Sequence, residues 1–507
     1  MPPKFWALAS VLIVFCHSTT EAATCEGLAS LSLPSSTITL AGTVAAGQFQ
    51  PPAGPGAGRG GPAAANVFAT LPAFCRVAAT LRPTSDSEIR IEVWMPVSGW
   101  NGKFLATGNG GWAGAIGYAA LADGLRRGYA AASTDTGHTV NNGSFIIGHP
   151  EKLTDFAHRA IHEMTTKGKA IVAAHYASPA RFAYFNGCST GGRQALTAAQ
   201  RYPDDFNGII GGAPAIHGSH QTAGQIWIWQ ATHQDEASFI PQSKYAVLHD
   251  AVLAACDALD GVTDGVLEDP TRCRFDPKVV QCKAGEDGPK CLTAPQVEAA
   301  RKIYAGPVNP RTGKQVFPGL YPGSELGWAA SAGAQPVSYA SDLYKYVVFK
   351  DPNWDPLMLN FDNDVALAEK EATPLIAIDA DLRKFASAGR KLLMYMGWGD
   401  PGIPPGFTTE YYKNVVSTLG EQSAQNSVRL FMVPGMGHCG GGQGTSTFDM
   451  ISVMEQWVEQ GKAPTQIPAS RVRDGKVDRT RPLCPYPQVA RYKGTGSTDD
   501  ASNFACK

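Results

Sequence analysis

The sequence predicts an α/β fold whose mainly parallel sheet is interrupted by a large inserted lid domain. Short apolar segments alternate with helix-like segments from residue 89 to residue 213, which is typical of strands joined by helices. Between residues 216 and 378 the pattern changes to prolines, scattered aromatic residues and two close cysteine pairs. Strand-like segments then return at 391–396 and 428–433. One core with an insertion accounts for this order.

The size and charge of the chain limit its class. At 507 residues it has room for two or three domains, or for one large domain with an insertion. It carries 43 Lys and Arg against 44 Asp and Glu, a formal net charge of −1. This balance gives no electrostatic reason to bind nucleic acid or an anionic membrane surface, so we expect neither partner.

The N-terminus is predicted to be a secretory signal peptide, 1–22. Lys4 precedes an apolar run over residues 5–16, and small and polar residues follow, with cleavage near Ala22. The run is too short to span a bilayer comfortably. We therefore expect a secreted protein, periplasmic or extracellular, with its core in 23–215 and 379–507 and its lid in 216–378.

The cysteine count fits export. Removal of Cys16 with the signal peptide leaves an even set in an oxidising compartment, so we expect five disulfides. The ten cysteines are Cys25, Cys75, Cys188, Cys256, Cys273, Cys282, Cys291, Cys439, Cys484 and Cys506.

The first strands of the core are predicted from short apolar runs. Residues 89–95 alternate apolar and polar, which indicates a half-buried strand. Residues 103–107 and 129–133 are two further strands, and 151–177 is a long helix with few breakers. His158 and His162 lie one turn apart on that helix, but the H-E-x-x-H order is missing, so a packed or solvated face is favoured over a metal site.

The central motif is Gly187-x-Ser189-x-Gly191. It lies between an apolar run at 181–185 and a helix-like run at 195–201, and a short buried strand at 208–213 follows. A serine on such a strand-to-helix turn exposes its hydroxyl above the sheet, where glycines leave room for the backbone and for an acyl group. Ser189 is therefore a candidate nucleophile.

A carboxylate and an imidazole follow later predicted strands. Asp400 comes after 391–396, and His438 comes after 428–433. The order Ser189, Asp400, His438 is that of α/β-hydrolases, with His438 as general base and Asp400 as the group that orients it. The alternatives for these two partners are Asp135 or Asp381, and His138 or His217. Only Asp400 and His438 combine this order with a strand-end loop.

The glycine-rich segment after residue 107 is predicted to be an oxyanion loop. It reads Gly108-Asn109-Gly110-Gly111-Trp112 and lacks the Lys-Ser/Thr ending of a phosphate-binding loop. Hydrolases of this architecture take one oxyanion donor from such a loop and one from the residue after the nucleophile. The backbone N–H groups of Gly111 and Thr190 are the candidates.

Two cysteines flank the candidate nucleophile and base. Cys188 directly precedes Ser189, and Cys439 directly follows His438. If the two are bonded, their α-carbons lie within about 4.4–6.8 Å, and Ser189 and His438 are then close as well. We favour this reading over a staple that is there for stability alone.

These motifs resemble those of the tannase and feruloyl esterase family, which includes bacterial enzymes that cleave mono(2-hydroxyethyl) terephthalate. The shared motifs are Gly-Cys-Ser-x-Gly-Gly-Arg, Pro-Gly-Met-x-His-Cys and Gly399-Asp400, and the likeness extends from about Cys25 to Cys506. The resemblance implies an α/β-hydrolase core with a lid, no organic cofactor and hydrolysis of aromatic-acid esters. It also implies the pairs Cys25–Cys75, Cys188–Cys439, Cys256–Cys273, Cys282–Cys291 and Cys484–Cys506.

A loop of the lid is a candidate calcium site. Asp257, Asp260 and Asp264 crowd three carboxylates that repel one another unless a hard cation or solvent compensates, although the spacing is not that of an EF-hand. The family resemblance implies a structural Ca²⁺ bound by these carboxylates and by the carbonyl groups of Val262 and Val266.

The lid sequence bears on the choice of ester. The terephthalate branch of the family is expected to hold the free carboxylate of its substrate with a lid arginine, but 312–382 contains none. Lys345 and Lys350 lie nearest, and lysine lacks the bidentate fork of arginine. Residues 322–328 also resemble feruloyl esterase and tannase members.

The sequence thus predicts a secreted serine carboxylesterase that acts through an acyl-enzyme on small esters of phenolic acids. The alternatives are a tannase that hydrolyses galloyl esters and a mono(2-hydroxyethyl) terephthalate hydrolase. A phenolic-binding protein on the same fold is the non-enzymatic alternative, and we expect it to lack a member of the triad. A peptidase on this fold would have the same triad, and its hydrolysis of amide bonds would distinguish it from an esterase.

Overall fold

A computed structural model describes residues 22–52 and 67–507. The signal peptide predicted at 1–22 lies outside the described residues except for its last position. The remaining chain forms a nine-stranded sheet flanked by helices, with a long helical insertion. This architecture confirms the predicted α/β class.

The strands of the large sheet are β1 (Ser36–Val44), β2 (Phe74–Leu81), β3 (Ile89–Pro96), β4 (Lys103–Thr107), β5 (Ala130–Thr134), β6 (Phe182–Cys188), β7 (Gly208–Gly212), β8 (Lys391–Gly397) and β9 (Val428–Val433). They lie in the order β1-β2-β3-β5-β4-β6-β7-β8-β9. Pairing is antiparallel from β1 to β5 and parallel from β5 onward. The sheet is therefore mixed, and β6, which precedes Ser189, lies within its parallel part.

The sequence-based view of β3 as a half-buried strand is wrong. Glu92 and Trp94, which point away from the aliphatic residues, are 5 % and 0 % exposed. The Glu92 carboxylate accepts hydrogen bonds from Arg76 Nη2 at 2.6 Å and from Trp94 Nε1 at 2.9 Å. Because these partners satisfy the carboxylate, a polar position can face the protein interior.

The helices are α1 (Tyr118–Arg126), α2 (Pro150–Thr154), α3 (Ala160–Tyr176), α4 (Thr190–Arg201), α5 (Gly218–His233), α6 (Tyr245–Cys256), α7 (Ala294–Ala305), α8 (Ala329–Ala332), α9 (Ser338–Asp342), α10 (Asn363–Glu371), α11 (Arg383–Ser387), α12 (Pro405–Leu419), α13 (Glu421–Ser427) and α14 (Met450–Gln460). The long helix predicted at 151–177 is α2 and α3 joined by one π-helical turn, Asp155–Arg159. It ends where Ala177 adopts a left-handed conformation, with φ of +50°.

Helices cover both faces of the sheet. Phe104 belongs to the hydrophobic cluster that includes residues of α3, α4 and α12, whereas its neighbour Leu105 packs with residues of α14. Side chains alternate between faces along a strand, so β4 contributes to both cores. The central strands are consequently apolar on each side, as expected for parallel strands covered by helices.

The helical insertion leaves the core after β7 and returns before β8. Its two ends meet, because the carbonyl oxygen of Ile216 accepts a 2.7 Å hydrogen bond from the N–H of Ala377. Helices α5 to α10 lie between these ends. Several aromatic residues of the insertion are fully buried. Trp328 lies in a hydrophobic cluster of insertion residues, whereas Tyr344 lies in a cluster that also contains Trp112 and Phe156 of the core.

Five disulfides cross-link the described chain in the pairs that the family resemblance implies, Cys25–Cys75, Cys188–Cys439, Cys256–Cys273, Cys282–Cys291 and Cys484–Cys506. A hairpin of β10 (Ile467–Arg473) and β11 (Lys476–Leu483) and the short pair β12 (Ala490–Tyr492) and β13 (Phe504–Cys506) form the C-terminal region. Among the described residues, no helix is both long and apolar enough to cross a membrane.

Candidate active site

Ser189 lies on a strained turn between β6 and α4. Its backbone has φ of +65° and ψ of −119°, which is rare for a residue with a side chain. Two hydrogen bonds of 3.0 Å hold the turn: the N–H of Ser189 donates to the Gly212 carbonyl, and its own carbonyl accepts from the N–H of Arg193. The strain is thus supported by β7 on one side and by the helix on the other.

Glycine is required beside this serine for steric reasons. A Cβ atom on Gly187 would lie 2.7 Å from the backbone of Gly191, which no ordinary packing allows. The close approach lets the chain reverse within three residues and directs the Ser189 side chain outward.

Asp400 follows β8 and is fully buried. Its Oδ1 accepts hydrogen bonds from the N–H groups of Gly402 at 2.8 Å and Ile403 at 2.9 Å. Its Oδ2 lies 2.7 Å from Nδ1 of His438. The carboxylate is therefore fixed in orientation and turned toward the imidazole.

His438 connects the carboxylate to the serine. Its Nε2 lies 2.9 Å from Ser189 Oγ, and its side chain is 37 % exposed. Burial lowers the pKa of His438, but the hydrogen bond and the negative charge of Asp400 outweigh burial and raise the pKa above its ordinary value. The imidazole is held to accept a proton from the hydroxyl.

A disulfide joins the neighbours of the serine and the histidine. Cys188 and Cys439 have α-carbons 6.0 Å apart and are separated by 251 positions in sequence. Cys439, like Ser189, adopts a positive φ, here +63°. The cross-link therefore fixes two turns with unusual backbone conformations against each other.

The glycine-rich loop after β4 lies beside the start of α4. Gly111 has φ of +54°, and its carbonyl oxygen accepts a 3.0 Å hydrogen bond from the Thr190 hydroxyl. The N–H of Gly191 donates to the Asn109 carbonyl at 2.7 Å. The first N–H groups of a helix have no intrahelical acceptor, so the N–H of Thr190 is free of the helix ladder.

The family model described as tannase and feruloyl esterase matches residues 75–507. The chain belongs to the tannase and feruloyl esterase family. Membership makes it a carboxylic ester hydrolase.

Three members of the family illustrate the likeness. The chain is 41 % identical to an uncharacterized esterase of Xanthomonas campestris pv. campestris over 96 % of this chain and 91 % of that protein. It is 34 % identical to a probable feruloyl esterase B-1 of Aspergillus fumigatus over 85 % of each. The crystal structure of feruloyl esterase B from Aspergillus oryzae superposes with a TM-score of 0.87 at 31 % identity, covering 95 % of this chain and 99 % of that one.

The glycine-rich loop is supported by His138, which follows β5, and by Tyr339 of the insertion. His138 Nε2 lies 2.9 Å from the carbonyl oxygen of Trp112, and its ring stacks on Phe145 at 3.6 Å. The Trp112 ring stacks on Tyr339 of α9 at 4.8 Å and donates from Nε1 to the Tyr339 carbonyl at 3.2 Å. The insertion thus contacts the loop directly, a relationship that the sequence did not reveal.

The buried position of Arg193 was also not predicted from the sequence. It is fully buried in the first turn of α4, its Nη1 donates to the Ala157 carbonyl at 2.7 Å, and its guanidinium lies 5.2 Å from the Phe156 ring centroid. Burial lowers its pKa. The sequence signal for this buried position was the Gly-Gly-Arg motif, in which the arginine lies among small residues.

The alternative acids lie elsewhere. Asp135 Oδ1 accepts from the N–H groups of Arg90 and Gly137, both at 2.9 Å, and burial raises the pKa of this carboxyl to about 7. Asp381 is exposed and forms an ion pair with Arg383. Asp135 is thus hydrogen-bonded to β3 and to its own loop, and Asp381 is paired with a neighbouring arginine.

The other histidines considered from sequence have different partners. His138 supports the Trp112 carbonyl, as described above, and His217 packs against His220. His158 Nδ1 lies 2.8 Å from the Tyr202 hydroxyl, and His162 Nδ1 lies 2.8 Å from Asp205. The pair at 158 and 162 occupies a packed helix face, as favoured from its sequence.

The acidic loop of the insertion borders a small cavity. Asp260, Val262, Asp264 and Val266 line a space of about 20 Å³, enough for one water-sized guest. Asp257 is not among the lining residues, because its carboxylate accepts from the N–H groups of Asp264 and Gly265 within the loop.

Positive charge also reaches this loop. Arg481 Nη2 contacts Asp264 Oδ2, and Arg479 Nη1 lies 3.3 Å from the same oxygen. The remaining donors, carboxylate and backbone oxygens, are those that calcium prefers. These oxygen donors therefore fit a hard cation. At Asp264 the two arginines balance part of the carboxylate charge.

Lys345 and Lys350, the lysines considered from the sequence, do not supply a carboxylate clamp comparable to an arginine fork. Lys350 is exposed, and its Nζ lies 3.5 Å from Glu371 Oε2 on the surface. Lys345 is partly buried within the π-helical turn Leu343–Val348.

Proposed function

We propose that this esterase uses Ser189 as nucleophile, His438 as general base and Asp400 as the orienting acid. The observation that carries the proposal is the continuous chain from Asp400 Oδ2 to His438 Nδ1, 2.7 Å, and from His438 Nε2 to Ser189 Oγ, 2.9 Å. These are the contacts that a serine triad requires.

The reaction follows from proton transfers between these groups. Ser189 Oγ attacks the ester carbonyl carbon while His438 Nε2 takes the hydroxyl proton. The N–H groups of Gly111 and Thr190 stabilise the oxyanion, and protonated His438 returns the proton to the leaving alcohol. Water then attacks the acyl-enzyme by the same path and releases the acid.

We infer that the acyl group comes from a phenolic acid such as ferulate. Two of the proteins described above are named feruloyl esterase B. The absence of arginine from 312–382 and the surface pairing of Lys350 with Glu371 disfavour strong binding of a terephthalate monoester. Galloyl esters and terephthalate monoesters remain the alternative substrates.

Three further assignments belong to the proposal. The ten bonded cysteines and the N-terminal sequence support secretion after removal of residues 1–22. We assign 216–378 as the lid. We propose that the loop from Asp257 to Val266 holds a structural Ca²⁺ through Asp257, Asp260, Asp264 and the carbonyl groups of Val262 and Val266, and that the ion stabilises the lid. Binding through Asp257 requires its carboxylate to turn from the N–H groups of Asp264 and Gly265 toward the ion.

The test compares the wild-type protein with Ser189→Ala on methyl ferulate, methyl gallate and mono(2-hydroxyethyl) terephthalate. We expect methyl ferulate to have the highest kcat/KM and Ser189→Ala to lose at least about 10³-fold on every ester. A pre-steady-state burst of alcohol would report the acyl-enzyme.

Each departure from this result has a defined meaning. Equal activity of Ser189→Ala and wild type would refute the nucleophile. Binding of ferulate esters without turnover by the wild-type protein would instead support the phenolic-binding alternative. A preference for methyl gallate or for the terephthalate ester would replace the substrate assignment and leave the triad unaffected.

A further inference from the structure

A cluster of metal-ligating side chains in the insertion shares no residue with the triad or with the acidic loop. His217, His220 and Glu369 each offer one ligand atom, and these three atoms lie within 4.8 Å of one another. His217 directly precedes α5, His220 is in its first turn, and Glu369 is on α10. Residues far apart in sequence thus converge on one point.

The contacts within the cluster are close. His220 Nε2 lies 2.5 Å from Glu369 Oε1, and the rings of His217 and His220 stack with centroids 4.0 Å apart. Ligand atoms on a tetrahedral metal with bonds of ~2.1 Å are roughly 3.4 Å apart. Rotations of the three side chains that move each ligand atom by about 1 Å would therefore produce such a geometry.

The hydrogen bonds around the histidines suit metal binding. His220 Nδ1 lies 2.7 Å from the Val316 carbonyl oxygen, which can only accept, so Nδ1 carries the proton. Nε2 faces Glu369 Oε1 across a hydrogen bond, so one proton lies between them, and a metal ion would displace that proton and bind the Nε2 lone pair. A backbone carbonyl that fixes the tautomer in this way is the usual outer partner of a metal-bound histidine. Among the described residues, the His217 ring makes one hydrogen bond, between Nδ1 and the Ser219 hydroxyl at 3.2 Å, and a hydroxyl permits either tautomer.

The two histidines also line an open cavity of about 530 Å³, whose other lining residues include Phe317 and Phe407. An ion and its water ligands can reach the imidazoles through this space. Two imidazoles with one carboxylate and an open position form a donor set that favours Zn²⁺, Ni²⁺ or Cu²⁺ over Ca²⁺ or Mg²⁺.

We propose that His217, His220 and Glu369 form a binding site for a divalent transition-metal ion of the zinc class. The ion fastens the start of α5 to α10. The segment before His217 also contacts the nucleophile turn, since the N–H of Ala215 donates to the Ser189 carbonyl at 3.2 Å. Metal binding therefore stiffens the base of the insertion where it leaves the core.

The experiment measures Zn²⁺ binding by titration calorimetry to the full-length, untagged mature protein in the presence of saturating Ca²⁺. Co²⁺ is the second probe, because its visible ligand-field bands report the geometry. We expect one equivalent of Zn²⁺ to bind and to raise the Tm. Glu369→Gln and His220→Gln should each lower the affinity at least about tenfold, since even outer-shell changes cost that much.

The matched control is His149→Gln. His149 Nδ1 lies 2.6 Å from Asp86 Oδ1, and within residues 22–52 and 67–507 no third ligand side chain joins this pair. The variant therefore removes a surface contact between a histidine and a carboxylate that is not a three-ligand cluster. It should bind Zn²⁺ like the wild type. Glu369 is exposed, so Glu369→Gln tests the site even if His220→Gln is unstable. Absence of stoichiometric Zn²⁺ binding, or equal affinity in wild type and Glu369→Gln, would overturn the proposal and leave a simple ion pair between His220 and Glu369.

Discussion

The hydroxyl of Thr190 donates a 3.0 Å hydrogen bond to the carbonyl oxygen of Gly111. The two residues proposed to donate to the oxyanion are thus tied to each other through groups that do not take part in the reaction. Because this hydrogen bond joins Thr190 to Gly111, the hydroxyl of Thr190 sets the spacing between the N–H groups of the two residues. This relationship leads to the first prediction.

Thr190→Ala should lower kcat roughly tenfold with a smaller change in KM, because loss of a complete oxyanion donor costs about 10²–10³-fold and here the donors are only loosened. Thr190→Ser keeps the hydroxyl and should retain most of the activity. The control is Thr197→Ala, which removes another buried hydroxyl from α4, one that donates to the Arg193 carbonyl. Steady-state kinetics on methyl ferulate decide the matter; equal kcat for Thr190→Ala and wild type would contradict the role.

The second prediction concerns pH. In the proposed mechanism His438 acts in its neutral form. Because Asp400 raises the pKa of His438, the acid limb of kcat/KM should lie above the ordinary pKa of histidine. In Asp400→Asn the carboxylate charge is gone, the pKa of His438 falls, and the acid limb should move to lower pH. The rate itself should drop by about 10⁴, as in other serine triads, because the amide favours the wrong tautomer.

The measurement is a pH profile of kcat/KM for wild type, Asp400→Asn and Asp381→Asn. Asp381 is an exposed carboxylate paired with Arg383, and its replacement should leave the profile unchanged. An acid limb at the same pH in Asp400→Asn would show that another group controls the titration.

The third prediction concerns the Cys188–Cys439 disulfide. A Cys188→Ala and Cys439→Ala double variant should lose at least tenfold in kcat while still folded, because the bond holds Ser189 and His438 together and a displacement of 1 Å can cost about 10²-fold. The control is the Cys25→Ala and Cys75→Ala double variant. Cys75 lies on β2, and strands β3, β5 and β4 lie between β2 and β6.

Both disulfide variants should be less stable, so activity is measured well below the Tm of each. Circular dichroism verifies the folded fraction. If the two double variants lose equal activity per folded molecule, the bond at the nucleophile has no role beyond stability.

The fourth prediction concerns calcium. Chelation should lower the Tm by about 3 °C, the shift expected when an ion present at 100 to 1,000 times its Kd is removed from a chain of this size. Asp260→Asn keeps the acceptor for the Val262 N–H but removes the charge, and it should abolish most of the sensitivity to chelator. Asp250→Asn, at an exposed position of neighbouring α6, is the control. A Tm of Asp260→Asn that still depends fully on calcium would refute the site.

The sequence predicted the parts of the fold that depend on local pattern. The bounds of β4 and β9 agree with the apolar runs at 103–107 and 428–433, and the order of Ser189, Asp400 and His438 along the chain placed them at the ends of strands that the structure brings together. Parallel strands end at one edge of a sheet, so the chain order alone carried this information.

The remainder depended on tertiary contacts without a local signal. The alternation in β3 predicts that Glu92 faces solvent, and it carries no sign of the partner Arg76, which lies on another strand. The contact of Trp112 with Tyr339 joins residues 227 positions apart, and no periodic pattern relates them. The convergence of His220 and Glu369 likewise follows from the packing of two helices.

The order in which the cysteines pair affects how the protein is made. Four of the five bonds join cysteines that are consecutive in the mature chain, but Cys188 must pass over Cys256, Cys273, Cys282 and Cys291 to reach Cys439. During synthesis its nearest later thiol is the wrong one. Correct bridging requires either that Cys188 stays reduced until most of the chain has emerged or that a wrong bridge is exchanged. Active enzyme therefore accumulates best in a host that supplies a disulfide isomerase along with an oxidant.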